Sequence, residues 1–165
     1  MKHFKLFFAC LLTFILSIGQ VWAEDVTFTF ASASALQGWS ADPTPSFESA
    51  SPARGLAWSK KAMTMEYTLS GYGVSHVKVV ASTNQAGNYT LSVNGGTGQA
   101  VTKDNNKDYD FDVNVADGGT ITIATTYTGS GKSFWIKSIV LTKATSGPQE
   151  QTVSFEPNLN NRILF

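Results

Sequence analysis

An apolar residue at every second position is the feature that most constrains how this chain can fold. The alternation is clear at 26–30 (VTFTF), 63–69 (MTMEYTL) and 89–94 (YTLSVN), and it returns at 109–115 and 121–127. Successive side chains of a strand point to opposite faces, so a period of two indicates strands with one buried and one hydrated face. These segments are rich in Val, Thr, Tyr and Phe, which favour strands, and none shows the apolar stripe of a helix.

Short segments rich in Gly, Asn and Asp separate these strands, for example 84–88 (NQAGN), 94–98 (NGGTG) and 117–119 (DGG). Those residue types adopt the positive φ angles that tight connections need. Short strands joined by such turns predict an all-β fold, an antiparallel jelly-roll-like β-sandwich. We expect nine strands, at 26–31, 55–59, 62–69, 74–82, 88–94, 98–102, 108–115, 119–127 and 133–143.

The N-terminal residues have the layout of a secretory signal peptide. Lys2 and Lys5 precede an apolar run at 6–18, and small residues close the segment at Ala23. This run of 13 residues is shorter than the ~20 that a spanning helix needs, so we expect cleavage after Ala23 rather than a membrane anchor. Cys10 lies inside the run, so its lipidation is not expected. We therefore predict a protein that is secreted, at the cell surface or in the periplasm.

Signal cleavage would leave residues 24–165 without cysteine, because Cys10 is the single one. Stability must then come from a core, and a domain of this size buries roughly 70% of its unfolded surface. Of twelve basic and twelve acidic residues, loss of Lys2 and Lys5 leaves ten and twelve, with no basic patch to bind nucleic acid. We expect a signal peptide at 1–23, a sandwich domain at 24–144, a linker at 145–151, and at 152–165 a tail or the start of a truncated second module.

A segment dense in Asp and Asn (TKDNNKDYDFDV) raises the question of a calcium site. Asp108, Asp110 and Asp112 alternate with apolar residues, so they should form a column on the hydrated face of one strand. Their spacing of ~7 Å is too wide for one ion to contact all three. The other interpretation is a looser calcium site in the preceding turn, formed by Asp104, Asn106 and Asp108. The hydrated strand face is the preferred interpretation, so no cofactor is expected, and calcium is the alternative.

One long segment, 32–54, lacks the strand pattern and contains three prolines. Irregular connections longer than ~12–15 residues are uncommon in compact domains and are often functional. This one carries Trp39, Phe47 and Arg54. Two interpretations are open: the aromatic residues are lids over the end of the sandwich, or they form a platform for a ligand.

The last predicted strand, 132–143 (KSFWIKSIVLTK), resembles the closing strand of secreted jelly-roll domains of the galactose-binding-like, carbohydrate-binding-module type. The matching pattern is an aromatic residue (Trp135), an apolar residue (Ile136), two polar residues and then apolar-x-apolar. The run 54–58 (RGLAW), which follows a long loop, is also similar to bacterial surface domains of this kind. Where the family usually has an acidic residue in the polar pair, this chain has Lys137 and Ser138.

The resemblance implies a non-catalytic, adhesive or binding module that recognises glycan through aromatic side chains on loops or on a sheet face. The ligand-binding candidates are Trp39, Arg54, Trp58 and Trp135. Each has a structural alternative. Arg54 caps the loop or pairs with Glu48, and Trp58 follows Leu56 with a period of two and so points towards the core. Trp135 shares a strand face with Lys137, which favours exposure, unless a bulge near Ser138 reverses it.

Two other functions remain open on the sequence. A structural spacer in a larger surface protein would have all its tryptophans buried, whereas a glycan-binding module predicts exposed indoles. A glycoside hydrolase would need two acids converging in one pocket, and no segment of the sequence brings a pair together. His76 is the only histidine after residue 23, and there is neither a cysteine nucleophile nor a zinc-binding cluster, so catalysis is not expected.

Overall fold

A computed structural model describes residues 24–49, 55–103, 106–129 and 133–145. The predicted signal peptide, Arg54, Asp104 and the predicted tail lie outside the described residues, as does most of the predicted linker. The described residues form strands and turns only, and none of them builds a helix with the length and apolar character that a membrane crossing requires. The strands are β1 (Asp25–Thr29), β2 (Ser40–Asp42), β3 (Ser46–Glu48), β4 (Gly55–Ser59), β5 (Thr64–Thr68), β6 (Val74–Thr83), β7 (Tyr89–Val93), β8 (Gln99–Ala100), β9 (Lys107–Val115), β10 (Thr120–Tyr127) and β11 (Ser133–Lys143).

The strands form two antiparallel sheets. Sheet A has the order β3-β4-β11-β6-β9, and β1 pairs with β11 beside β4; sheet B has the order β2-β5-β10-β7-β8. The predicted all-β sandwich is confirmed, and each of the nine predicted strands is present. The sequence missed β2 and β3, which lie in the segment expected to be irregular. Each strand has three residues and lies next to proline, so the alternation of apolar and polar residues is too short there to be recognised.

The core fills the space between the two sheets. In sheet B, Ile123 lies between Met65 of β5 and Val93 of β7, and all three side chains are buried. Tyr109 and Phe111 of β9 are also buried, at 2% and 7% exposure, as the alternation predicted. The inward positions are mostly apolar because one face of each sheet is removed from water, and the buried Thr125 of β10 accepts a hydrogen bond from the backbone N–H of Met63.

A bulge divides β11 into two halves. The pairing of β11 with β6 shifts register between Ile136 and Ser138, so Lys137 is the extra residue. Phe134 and Ile136 are in the core before the bulge, and the inward alternation resumes at Ile139 after it. The bulge therefore lets one strand pair with β4 through its first half and with β1 through its second half.

Candidate functional site

All three tryptophans in the described residues are buried. Trp39, Trp58 and Trp135 are 3%, 2% and 2% exposed. Trp39 packs edge-on against Phe28, with ring centroids 5.7 Å apart, and lies 5.2 Å from the ring of Tyr67. Of the two interpretations left open for Trp39, its burial favours the lid over the exposed platform. Large aromatic rings gain most by burying their area, and here Trp39 belongs to the core cluster.

Trp58 and Trp135 occupy opposite faces of sheet A. Trp58 is in the core, as its period with Leu56 predicted, and its ring lies 6.1 Å from that of Phe134. Trp135 lies in register with Ala57 and with Ser82, on the face away from the core, and is nevertheless buried. The exposure expected for Trp135 is therefore wrong, although the predicted bulge near Ser138 is present.

The calcium candidates are only partly described, since Asp104 lies outside the described residues. Asn106 has a left-handed backbone (φ 63°), and its buried side-chain oxygen has no hydrogen-bond partner within the described part of the chain. The carboxylate of Asp108 lies 3.6 Å from the ammonium group of Lys78, so a cation already faces it. Within the described ranges, no three His, Cys, Asp or Glu residues are grouped so as to hold a metal. Calcium binding in this turn stays a prediction.

The aspartate column of β9 forms cross-strand pairs with β6. Asp112 is opposite His76, and Asp110 is opposite Lys78. The imidazole of His76 bridges two carboxylates, with Nε2 3.0 Å from Asp110 and Nδ1 3.1 Å from Asp112. Both ring nitrogens can donate only when the imidazole carries its second proton. The hydrogen bond to Asp110, and then that to Asp112, therefore raises the pKa of His76, whereas partial burial acts to lower it. The column is a hydrated strand face with its own counter-charges.

The outward face of sheet B is covered by small polar side chains. The strand register aligns Ser40, Glu66 and Thr122 in one row and Asp42, Thr64, Ala124 and Ser92 in the next. Among the described strands of sheet B, none of the outward positions is aromatic and the two charged ones are both acidic. The outward residues are Ser40, Asp42, Thr64, Glu66, Thr68, Thr90, Ser92, Ala100, Thr120, Thr122, Ala124 and Thr126.

An open depression of about 350 Å³ lies at one edge of this face, lined by Ser40, Ala41, Asp42, Thr64 and Glu66. Asp42 is paired with Thr64, which makes Asp42 and Glu66 diagonal neighbours at a separation of ~7–8 Å. Both acids are exposed, and neither carboxylate has an ion pair or hydrogen bond with the described residues. Sequence reasoning missed this pair because β2 was not predicted, and Glu66 alone gave no signal.

Two of the predicted tryptophans hold β2 in place instead of lining the depression. Trp39 directly precedes β2, and its backbone N–H donates to the carbonyl of Leu36 at 3.0 Å. Gly38 has a φ of 90°, and a side chain there would meet the ring of Tyr67 at 3.1 Å, so glycine allows the close approach. At the other end, Trp58 Nε1 donates to the carbonyl of Pro43 at 2.7 Å. The buried side chains of Trp39 and Trp58 therefore fix the positions of Ser40 and Asp42.

The two antiparallel sheets, packed around one apolar core, define a jelly-roll-like β-sandwich. Among solved structures, the chain is similar to the CBM36-1 domain of a multidomain xylanase from the hindgut metagenome of Trinervitermes trinervoides. The TM-score is 0.51 at 15% identity, over 73% of this chain and 98% of that one. This similarity establishes the fold.

Two further solved structures show a weaker similarity. TmCBM61, solved in complex with beta-1,4-galactotriose, has a TM-score of 0.42 at 15% identity, over 74% of this chain and 90% of that one. The Podospora anserina GH26-CBM35 beta-(1,4)-mannanase has a TM-score of 0.37 at 15% identity, and the match covers 77% of this chain but 29% of that one. No family model and no curated protein matches the sequence.

Proposed function

We propose that this protein is a secreted, non-catalytic module that binds glycan at the depression on sheet B. The observation that carries the proposal is the pair of exposed carboxylates, Asp42 and Glu66, which have no partner among the described residues and lie beside rows of hydroxyl groups on an open face. The fold, which this chain shares with the CBM36-1 domain of a xylanase, supports the assignment. Secretion rests on the sequence of residues 1–23.

The chemistry of the depression suits a sugar. A carboxylate accepts hydrogen bonds from neighbouring hydroxyl groups through both oxygens, and charged acceptors form the stronger bonds. The hydroxyl of Thr64 both donates and accepts, and that of Ser40, which donates to the backbone carbonyl of Glu66 at 3.5 Å, can still accept, so the two complement a ligand that carries both functions. Short side chains on β10 and β7 extend the polar face away from the depression, which gives room for a chain of several sugars.

The open position of the acids argues against hydrolysis. Asp42 and Glu66 do share one depression, which is the arrangement that a glycoside hydrolase requires. However, a general acid that works near neutral pH is a carboxyl group shielded from water, and both side chains here are exposed. We therefore expect the protein to bind oligosaccharides without releasing new reducing ends from them.

A structural spacer is the second candidate function, and the burial of all three described tryptophans favours it. A spacer needs no ligand face, and its aromatic residues serve the core. The two candidates differ in one respect: glycan binding requires the carboxylates on β2 and β5, whereas a spacer does not.

The test is a glycan array and an insoluble-polysaccharide pull-down with the wild-type protein and with the Asp42→Asn/Glu66→Gln double variant. We expect the wild type to bind at least one glycan class and the double variant to lose that binding at unchanged melting temperature. Asp25→Asn is the matched control, because Asp25 is an exposed acid on sheet A and asparagine keeps the oxygen that accepts from Thr142. Binding to no glycan in either assay would favour the spacer.

A further inference from the structure

We propose that residues 152–155 (TVSF) form an additional strand of sheet A along the free edge of β1. Residues 152–155 themselves lie outside the described part of the chain, whereas β1 and its pairing are described. The added strand would belong to sheet A, and the depression lies on sheet B. Its formation therefore does not depend on glycan binding.

The edge of β1 that faces away from β11 is open among the described residues. The carbonyl of Glu24 and the N–H of Phe30 both bond to β11, so the even-numbered residues of this segment pair with that strand. The backbone groups of the residues between them point the other way. Asp25 and Thr27 therefore present N–H and C=O groups to an edge beside which no described strand lies. Such an edge is a template for one more strand.

The open space beside β1, which we call the β1 slot, has a defined length. It begins at Asp25, and at its far end the Gln37 side chain donates to the carbonyl of Thr29 at 2.7 Å. A strand that starts with Thr152 beside Asp25 would reach Pro157 just past this contact. Proline has no N–H to give to a ladder, so the strand would end where the slot ends.

Apolar side chains on the inner side of the β1 slot are incompletely covered. Val26, Tyr67 and Tyr72 pack against the core but are only half-buried. Tyr67 lies 5.0 Å from the ring of Phe28, and it stands beyond the pairing of β5 with β2, which stops at Glu66. An added strand with inward apolar side chains would cover surface that water now reaches, which is favourable.

The sequence of the proposed strand matches what the slot needs. Residues 152–155 (TVSF) repeat the pattern of residues 25–28 (DVTF), with valine and phenylalanine at the same spacing. Alongside β1 in the same direction, this valine and phenylalanine would face the core next to those of β1. The two hydroxyl residues of the segment would face water.

The end of β11 delivers the chain to the beginning of the slot. The N–H of Lys143 donates to the carbonyl of Glu24 at 2.9 Å, so β11 ends beside the start of β1. The eight residues 144–151 then precede the segment and can span up to about 26 Å. The slot is two strand spacings from β11, or about 10 Å, which is well within that reach. So short a tether holds the segment near the slot at a high effective concentration.

The other edge of sheet A, β9, is protected against pairing and therefore supplies a control. Asp108, Asp110 and Asp112 are exposed along it, and like charges in a row discourage an added strand. The Gln99 side chain also donates to the backbone carbonyl of Asp110 at 2.7 Å. Asn114 is an exposed residue of β9 and matches Thr27 of β1 in exposure.

The experiment is disulfide trapping in residues 24–165, which contain every described strand and no native cysteine. Thr27→Cys/Ser154→Cys places two thiols on neighbouring strands, at a separation that a disulfide bridges. We expect mild oxidation to link them within one molecule on the order of tenfold faster than in the control, Asn114→Cys/Ser154→Cys. Equal rates in the two variants would overturn the proposal, and so would a product linked mainly between two molecules, which would assign the edge to a second copy.

Hydrogen exchange gives a second measurement that needs no cysteine. The amide of Thr27 should be protected in the wild type and should exchange about tenfold faster in Val153→Asp/Phe155→Asp, which carries charge on the inward face of the segment. The amide of Phe30 bonds to β11, so its exchange should be the same in both proteins. An unprotected Thr27 amide in the wild type, or no change in the variant, would overturn the proposal.

Discussion

Trp58 donates its indole N–H to the carbonyl oxygen of Pro43 across 2.7 Å, from the core of sheet A to the turn that follows β2. The bond fixes the turn next to Asp42, so a buried residue determines where an exposed carboxylate stands. Trp58 thus has a positioning role at the candidate site, in contrast to the direct contact that the sequence suggested.

Trp58→Phe is predicted to lower both stability and glycan affinity. The variant loses the bond to Pro43 and part of the ring volume, which should cost about 2–4 kcal/mol in the free energy of unfolding. Trp39→Phe is the matched control, because the buried Nε1 of Trp39 has no hydrogen-bond partner among the residues that the structure describes. Urea denaturation should show Trp58→Phe as the more destabilised by about 1 kcal/mol. Equal losses would mean that the Pro43 bond contributes nothing.

Removal of the two acids at the depression should leave stability unchanged. Asp42 and Glu66 have no side-chain partner in the described part of the chain, so Asp42→Asn and Glu66→Gln remove no interaction that folding uses. We expect a change of less than ~0.5 kcal/mol in the free energy of unfolding, by chemical denaturation. A loss well above that value would show that the carboxylates serve the fold and would weaken their assignment to a ligand.

The pairing of His76 with Asp110 and Asp112 predicts a pH-dependent contribution to stability. The pKa of His76 is raised in the folded state, so the contribution is complete below the unfolded value of ~6.5. It is lost as the pH rises through the raised folded pKa. The pair is partly exposed, so the amplitude should stay below ~1 kcal/mol.

Denaturation curves of the wild type and His76→Gln, recorded between about pH 6 and pH 9, measure this term. The difference in stability between them should shrink as the pH increases. A constant difference across the range would show that the protonated ring contributes no more than the neutral one.

Gly55→Ala is predicted to be severely destabilising. Gly55 has a φ of 96°, and a Cβ there would lie 2.2 Å from the carbonyl oxygen of Ile136, next to the bulge at Lys137. Backbone strain and the clash together should cost about 3 kcal/mol or more. Gly87→Ala is the control, since Gly87 has a φ of 82° with open space around it. Thermal unfolding of Gly55→Ala should occur well below that of Gly87→Ala, and similar midpoints would argue against the close contact with β11.

Much of the fold was predictable because the period of two reports which face of a strand meets water. The alternation placed Tyr109 and Phe111 inside and the aspartates of β9 outside, and the structure agrees. It also indicated that Trp58 points inward. These inferences need only the local sequence and the geometry of a strand.

The candidate site was not predictable because it depends on pairing between distant segments. Asp42 lies near Glu66 only because β2 pairs with β5, and β2 is too short to show a pattern. The pairing of His76 with Asp110 likewise requires β6 to be next to β9. Trp135 shows another limit of sequence reasoning. The alternation correctly places Trp135 on the outer face of sheet A, but it does not indicate that the side chain is buried there.

The position of β11 has a consequence for biosynthesis. This strand is the last in the described chain and lies in the middle of sheet A, between β6 on one side and β4 and β1 on the other. The ribosome therefore synthesises the strands that pair with β11 before it synthesises β11 itself. The edges of those strands stay unpaired until β11 emerges. Such long-range closure makes folding slow, and the waiting edges are prone to aggregation. Nascent chains that stop before residue 133 should consequently depend on chaperones, whereas chains that extend past residue 143 should not.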